Sequence, residues 1–197
     1  MYTTARMPDV SNYTGPLDPR VLADLDFGVL CVRLSLEDGP RRALAQQQLR
    51  AGRDAGKRLH GYGWGYWNTN PVRTARQWHT LARTAGCKLD MFWPDIEEHP
   101  ERFNMDWIQT ALEALDHLRD GNGIYTGEWY WTSKLVGNPT DLAATRSLWT
   151  AQWDGIPDLD VFRPYGGWEQ CDAKQYLAEA SDMPFLCGSS IVRITDP

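Results

Sequence analysis

The stretch Phe92-Trp93-Pro94-Asp95-Ile96-Glu97-Glu98 reads as a buried strand that finishes in carboxylates. The run before it, from Cys87, is mostly apolar, and His99-Pro100-Glu101 after it has the composition of a loop. Side chains two apart in a strand share a face, so Asp95 and Glu97 project together from the rim of a sheet. Two carboxylates in that arrangement suit cleavage of a glycosidic bond. One gives a proton to the leaving oxygen, and the other stabilises positive charge at the sugar.

Outward from this stretch, strand-like and helix-like segments alternate. Met7–Val10, Phe27–Ser35, Leu59–Tyr66, Lys88–Asp95, Ile124–Thr126, Ser147–Trp153, Trp168–Gln170 and Phe185–Ile194 read as strands. Helices are expected from Asp18-Pro19 to about Leu25, Arg41 to Gly56, Pro71 to Ala85, Asn104 to Leu118 and Trp129 to Val136. Asp18 and Asn104 stand as N-caps, and Pro19 and Pro71 at first helical positions. Strands alternating with helices imply βαβ units and a parallel sheet. Seven or eight strands in one domain favour a closed barrel over an open sheet, and no G-x-G-x-x-G opens a helix. In such a barrel, functional residues gather at the C-terminal strand ends, where Asp95, Glu97 and also Asp9 stand. Within Leu59–Tyr66, Tyr62, Trp64 and Tyr66 share one face and Gly61, Gly63 and Gly65 the other, which lets a backbone or ligand approach closely.

Composition narrows the function classes. The chain has 197 residues, 42% hydrophobic and 23% charged, which fits one domain with a sizeable core. A net charge of −6 with scattered basic residues argues against a nucleic-acid partner. No apolar run reaches membrane-spanning length. The N-terminus lacks the apolar core of a secretory leader, so synthesis in a cytoplasm is expected. The four histidines and four cysteines show no metal-ligand spacing, and no metal or cofactor is expected. Cys31 and Cys87 read as buried thiols, and a Cys171–Cys187 disulfide is left open. Ten tryptophans are unusual. Trp107 fits a helix face with Ile108, Ala111, Leu112 and Leu115. Trp64, Trp67, Trp129, Trp131, Trp149, Trp153 and Trp168 fall at strand ends or in loops, where exposed rings stack on sugars.

Several segments together resemble glycoside hydrolase family 25, the lysozymes that cut bacterial peptidoglycan. Pro8-Asp9-Val10-Ser11-Asn12-Tyr13-Thr14-Gly15 is similar to the family's first strand with its aspartate. Phe27–Ser35, with Arg33 near its end, is similar to the second. Ala55-Gly56 followed by Gly61-Tyr62 resembles the third, which carries a site tyrosine. Asp95-Ile96-Glu97 matches the D-x-E signature, and Gly123-Ile124-Tyr125-Thr126 the fifth-strand motif. Leu148–Trp153 and Trp168-Glu169-Gln170 resemble the late strands. The resemblance covers about residues 7–175, while 176–197 diverges from the family.

It implies one catalytic domain over 1–197, a modified (β/α) TIM-like barrel, that cleaves between N-acetylmuramic acid and N-acetylglucosamine. Glu97 would be the general acid. Asp95 would stabilise charge or orient the substrate's acetamido group. Asp9 and Tyr62 complete the catalytic set, and Arg33, Trp64, Tyr66, Tyr125, Trp153 and Trp168 bind glycan. The family's further aspartate near the last strand has no clean match; Asp154, Asp158, Asp160 and Asp172 are the candidates. The expected partner is peptidoglycan, for a monomer or part of a larger virion protein. A wall-lytic fold without a leader resembles a phage endolysin, as a bare catalytic domain or a piece of a longer lysin. A chitinase-like glycosidase and a non-catalytic peptidoglycan-binding barrel are the rival readings.

Overall fold

A computed structural model of the chain describes residues 2–34, 39–65, 68–97, 105–118, 121–135, 138–178 and 187–195. Its strands close into one eight-stranded barrel in chain order. They are β1 (Tyr2–Val10), β2 (Val29–Arg33), β3 (Arg58–Trp64), β4 (Met91–Asp95), β5 (Gly123–Gly127), β6 (Ser147–Ala151), β7 (Ala173–Leu177) and β8 (Gly188–Thr195). The first seven pair in parallel from β1 to β7. Helices α1 (Pro19–Asp24), α2 (Gly39–Asp54), α3 (Pro71–Thr84), α4 (Met105–His117) and α5 (Glu128–Lys134) lie between strands. Asp18 caps α1 by accepting from the Arg20 amide, and Asn70 caps α3 by accepting from Arg73. The expected cap Asn104 lies outside the described residues.

The barrel departs from the all-parallel expectation at its seam. β8 runs antiparallel to both β7 and β1. A parallel return needs a crossover of a dozen or more residues, and only residues 178–187 separate β7 from β8. The tail that looked foreign to the family thus closes the barrel, and β1 extends back to Tyr2 to meet it. Trp168–Gln170 is not a strand. Trp168 makes only an isolated bridge to Tyr165, and the strand is the later Ala173–Leu177.

Two apolar layers follow from the two faces of the strands. The inner one gathers Met7, Val29, Cys31, Trp93, Tyr125, Trp149, Ala173 and Val192. The outer one lies between strands and helices and contains Leu30, Trp78, Phe92, Ile124 and Leu148. Trp107, Ile108, Ala111, Leu112 and Leu115 form the buried face of α4, as their spacing predicts. The glycine face of β3 serves this outer layer. A Cβ on Gly63 would sit 2.3 Å from Trp78 of α3, so the close approach is that of a helix side chain, not a ligand.

Inside the barrel, the N-terminal half is plugged by rings. Trp93 Nε1 donates to His60 Nδ1 (3.2 Å), and Trp149 Nε1 donates to Ser190 Oγ (3.1 Å). The rings of Trp93 and Trp149 meet edge to face at 6.0 Å. Cys31, Cys87, Cys171 and Cys187 are all free thiols. Cys187 instead contacts the hydroxyls of Ser11 (3.2 Å) and Thr14 (3.0 Å), which removes the Cys171–Cys187 disulfide.

Candidate active site

Alternation along β4 points Met91, Trp93 and Asp95 into the barrel. Asp95 is the last of them and stands above the aromatic plug. Its carbonyl accepts from the Gly65 amide (2.9 Å), and the Ile96 amide donates to the Tyr125 carbonyl (2.9 Å). Thr126 Oγ1 also donates to the Ile96 carbonyl (3.0 Å). The chain is therefore fastened on both sides past the strand end, and Glu97 follows Asp95 on the same face.

Asp95 Oδ1 and Glu97 Oε1 are buried without a hydrogen-bond partner. Burial raises the Glu97 carboxyl to about 7. Burial, then the charge of Glu97, raises Asp95 well above the carboxylate range; Arg33 opposes this and Asp9 adds to it. The pair therefore holds a proton between its members at neutral pH.

The other strands build the walls. Asp9, from β1, is 5% exposed, and burial raises it to about 6 against the hydrogen bond from Gln175. Tyr62, from β3, packs edge to face on Trp149 and stays a neutral phenol, raised by burial and by Asp9. Arg33, at the end of β2, lies 5.5 Å over the Trp64 ring. Trp64 is registered opposite Asp95, and so is Tyr125 on the other side. The Tyr125 ring is buried, and its hydroxyl donates to Gln175 Oε1 (2.8 Å). Trp153, two residues beyond β6, is 53% exposed, and its Nε1 donates to the same Oε1 (2.8 Å).

Asp9, Tyr62, Arg33, Trp64, Asp95, Glu97, Tyr125 and Trp153 thus converge on one end of the barrel. Tyr66 and Trp67 lie outside the described residues. Trp168 is not at this mouth. It is buried in the outer layer against Trp131 and Tyr165, with Nε1 donating to the Arg146 carbonyl. Trp131 and Trp149 are likewise core rings, and Trp129 and Trp153 are the exposed tryptophans among the described residues.

None of the four candidate aspartates, all among the described residues, is seen to partner Asp9. Asp154 pairs with Lys174 Nζ (2.9 Å), and Asp158 caps a 3-10 turn that contains Asp160. Asp172 accepts from the Leu148 amide at the start of β6, at the far end of the barrel. The β8 residue in register with Asp9 is Gly188, and a Cβ there would lie 2.4 Å from Asp9 Oδ2.

Sequence reasoning missed Gln175, which receives Tyr125 and Trp153 and donates to Asp9. Its strand was hidden because Lys174 breaks the apolar pattern. Lys174 is fully buried on the outer face, held by Asp154 and by the carbonyls of Asp158 and Val161. Among the described residues, no cluster of three or more His, Cys, Asp or Glu side chains is placed to hold a metal ion. No helix among them is long and apolar enough to cross a membrane.

Comparison with known proteins locates this arrangement. A family model for lysozyme-like protein 1 matches residues 64–176, the segment that carries Asp95, Glu97, Tyr125, Trp153 and Gln175. Counting factor 50 of Dictyostelium discoideum is 30% identical over 116 residues, 55% of this chain and 36% of that protein. Probable GH family 25 lysozyme 3 of the same organism is 28% identical over 118 residues, 56% of this chain and 23% of that protein. The chain thus spans well under half the length of these relatives. The structure of a family GH25 lysozyme from Aspergillus fumigatus superposes with a TM-score of 0.74 at 16% identity, covering 99% of this chain and 95% of that one. The chain belongs to the lysozyme-like protein 1 family, and its relatives include probable GH family 25 lysozymes.

Proposed function

We propose that the chain is a peptidoglycan hydrolase that cleaves the β-1,4 bond between N-acetylmuramic acid and N-acetylglucosamine. The observation that carries this is the acid pair at the barrel mouth, with one buried oxygen of each acid lacking a partner and Glu97 raised to about 7. Glu97 is the general acid, raised so that about half of it is protonated at neutral pH and able to release its proton to the leaving oxygen. Asp95 is the anionic member during the reaction: burial opposes its charge, but a protonated Glu97 removes the repulsion that also raises it, and Arg33 favours the anion. It stabilises the oxocarbenium-like centre or orients the substrate's acetamido group. Asp9 deepens the negative potential, and the phenol of Tyr62 donates a hydrogen bond to the reacting sugar. Trp64 and the exposed ring of Trp153 offer faces on which sugar rings stack. The setting proposed is that of a wall-lytic enzyme of phage type, acting as a monomer on glycan strands.

Mass analysis of fragments released from purified peptidoglycan tests the reading. Fragments ending in reducing N-acetylmuramic acid are expected, and Glu97→Gln should release none while staying folded. Reducing ends from chitin and none from peptidoglycan would instead make this a chitinase-like glycosidase. One observation favours a second reading, a barrel that binds peptidoglycan without cutting it: Gly188 leaves no last-strand carboxylate beside Asp9. Binding with no released sugar would establish it.

A further inference from the structure

The chemistry above leaves Gln175 unused, although it is among the few buried polar side chains of the barrel interior. Its amide makes three hydrogen bonds of 2.8 Å: Nε2 to Asp9 Oδ2, Oε1 from the Tyr125 hydroxyl, and Oε1 from Trp153 Nε1. The partners arrive from β1, from β5 and from the loop after β6.

Chemistry fixes the amide's orientation. An indole N–H can only donate, so the oxygen of Gln175 must face Trp153, and the nitrogen must then face Asp9. Asp9 Oδ2 is consequently an acceptor. Any proton that Asp9 carries sits on Oδ1. Gly188 makes the arrangement possible, because a Cβ there would lie 2.4 Å from Asp9 Oδ2 and 2.6 Å from Gln175 Nε2. The last strand thus supplies a gap where a side chain would stand, and Gln175 reaches Asp9 beside it.

We propose that Gln175 is a positioning residue of this site, holding Asp9 as an acceptor while fixing the exposed Trp153 ring through the same amide. The proposal rests on the hydrolase reading for its kinetic consequences, but not for its geometry. A sugar stacked on Trp153 pulls or pushes an indole whose N–H is bonded to the group that holds Asp9. Binding at the rim and the state of the buried carboxylate are then linked through one side chain. The other groups that act on Asp9 or are acted on by it are Cys31 from β2, Tyr62 from β3, Asp95 from β4 and Tyr125 from β5. From the β8 side, the Cys187 amide donates to the Asp9 carbonyl.

Two substitutions separate the halves of the role. Gln175→Glu keeps an acceptor for Tyr125 and Trp153 but loses the donor to Asp9. Gln175→Met fills similar volume and loses all three bonds. Kinetics on soluble peptidoglycan oligomers across pH should show Gln175→Glu with KM within about twofold of wild type and kcat down about tenfold or more, the acid limb of its profile moved to higher pH. Gln175→Met should lose both terms, with KM up by about fivefold or more.

The second readout needs no activity: the indole N–H resonance of Trp153, followed by NMR as pH crosses the titration of Asp9. It should shift with Asp9 in the wild type and stop doing so in Gln175→Met. A wild-type resonance that ignores Asp9 overturns the proposal. So do two folded variants whose kcat and KM match wild type, or whose losses are uniform across pH and follow only a loss of folded protein. A wild type that releases no fragments sinks the hydrolase reading, and the indole titration then still decides the role of Gln175.

Discussion

The two ends of the barrel treat their acids differently. Away from the mouth, three carboxylates are matched. Asp90 meets Arg58 at 2.7 Å, Asp116 meets Arg146 at 2.7 Å, and Asp172 accepts a backbone amide at 3.0 Å. The hydrogen bonds from Arg146 hold Asp116 below the usual carboxylate range. At the mouth, Asp95 and Glu97 bury oxygens with no partner and are pushed upward instead. A fold that matches these three acids and buries an oxygen of each mouth acid without a partner is holding a cost of several kcal/mol of burial at one place. Such a cost persists where the unpaired group does chemistry.

The largest way to break the contrast is at the acid itself. Glu97→Gln keeps the shape and removes the proton donor, so turnover of peptidoglycan should fall by about a thousandfold or more. Fragment release within tenfold of wild type would remove Glu97 from that role.

The plug answers to a different test. Trp93→Ala empties the centre of the lower half and leaves His60 without its donor. Urea unfolding should show a loss of about 3–5 kcal/mol. A loss under 1 kcal/mol would mean the rings do not carry the fold.

The mouth should show the opposite sign. The Glu97 carboxyl is raised from 4.5 to about 7, so the folded state holds its proton more tightly than the unfolded chain. Its favourable contribution is complete below about pH 4.5 and is lost as pH rises through 7. Glu97→Gln should therefore stabilise the protein at pH 8, by about 1–3 kcal/mol, and the gain should vanish near pH 4. An equal gain at both pH values would mean that the charge is not its cause.

The smallest effect is expected at the matched end. Arg58 and Asp90 are each about a third exposed, so water screens them. Asp90→Asn should cost about 0–1 kcal/mol in thermal unfolding.

Much of this was written locally in the chain. The apolar run into Asp95 and Glu97 places the acids by strand alternation alone, and the Asp18 cap and Pro71 mark helix starts. What escaped depends on distant partners. Lys174 looks like a surface residue until Asp154 is seen beside it. Gln175 becomes informative only when Asp9, 166 positions away, is placed against it. Trp168 resembles a rim ring in sequence, yet Trp131 and Tyr165 cover it. The direction of β8 follows from the short connection before it, which could not be weighed while β7 itself was misplaced.

Glycan cleavage at this mouth needs a proton that the acid pair still holds near neutral pH. Carboxyl-carbon NMR of the wild type, with Glu97→Gln and Asp95→Asn to assign the resonances, reads it directly. Because burial raises it, Glu97 should titrate near pH 7 in the wild type and stay well above its ordinary value in Asp95→Asn, while Asp95 should titrate lower once Glu97→Gln removes the neighbouring charge. Glu97 titrating at its ordinary 4.5 in both proteins would contradict the account.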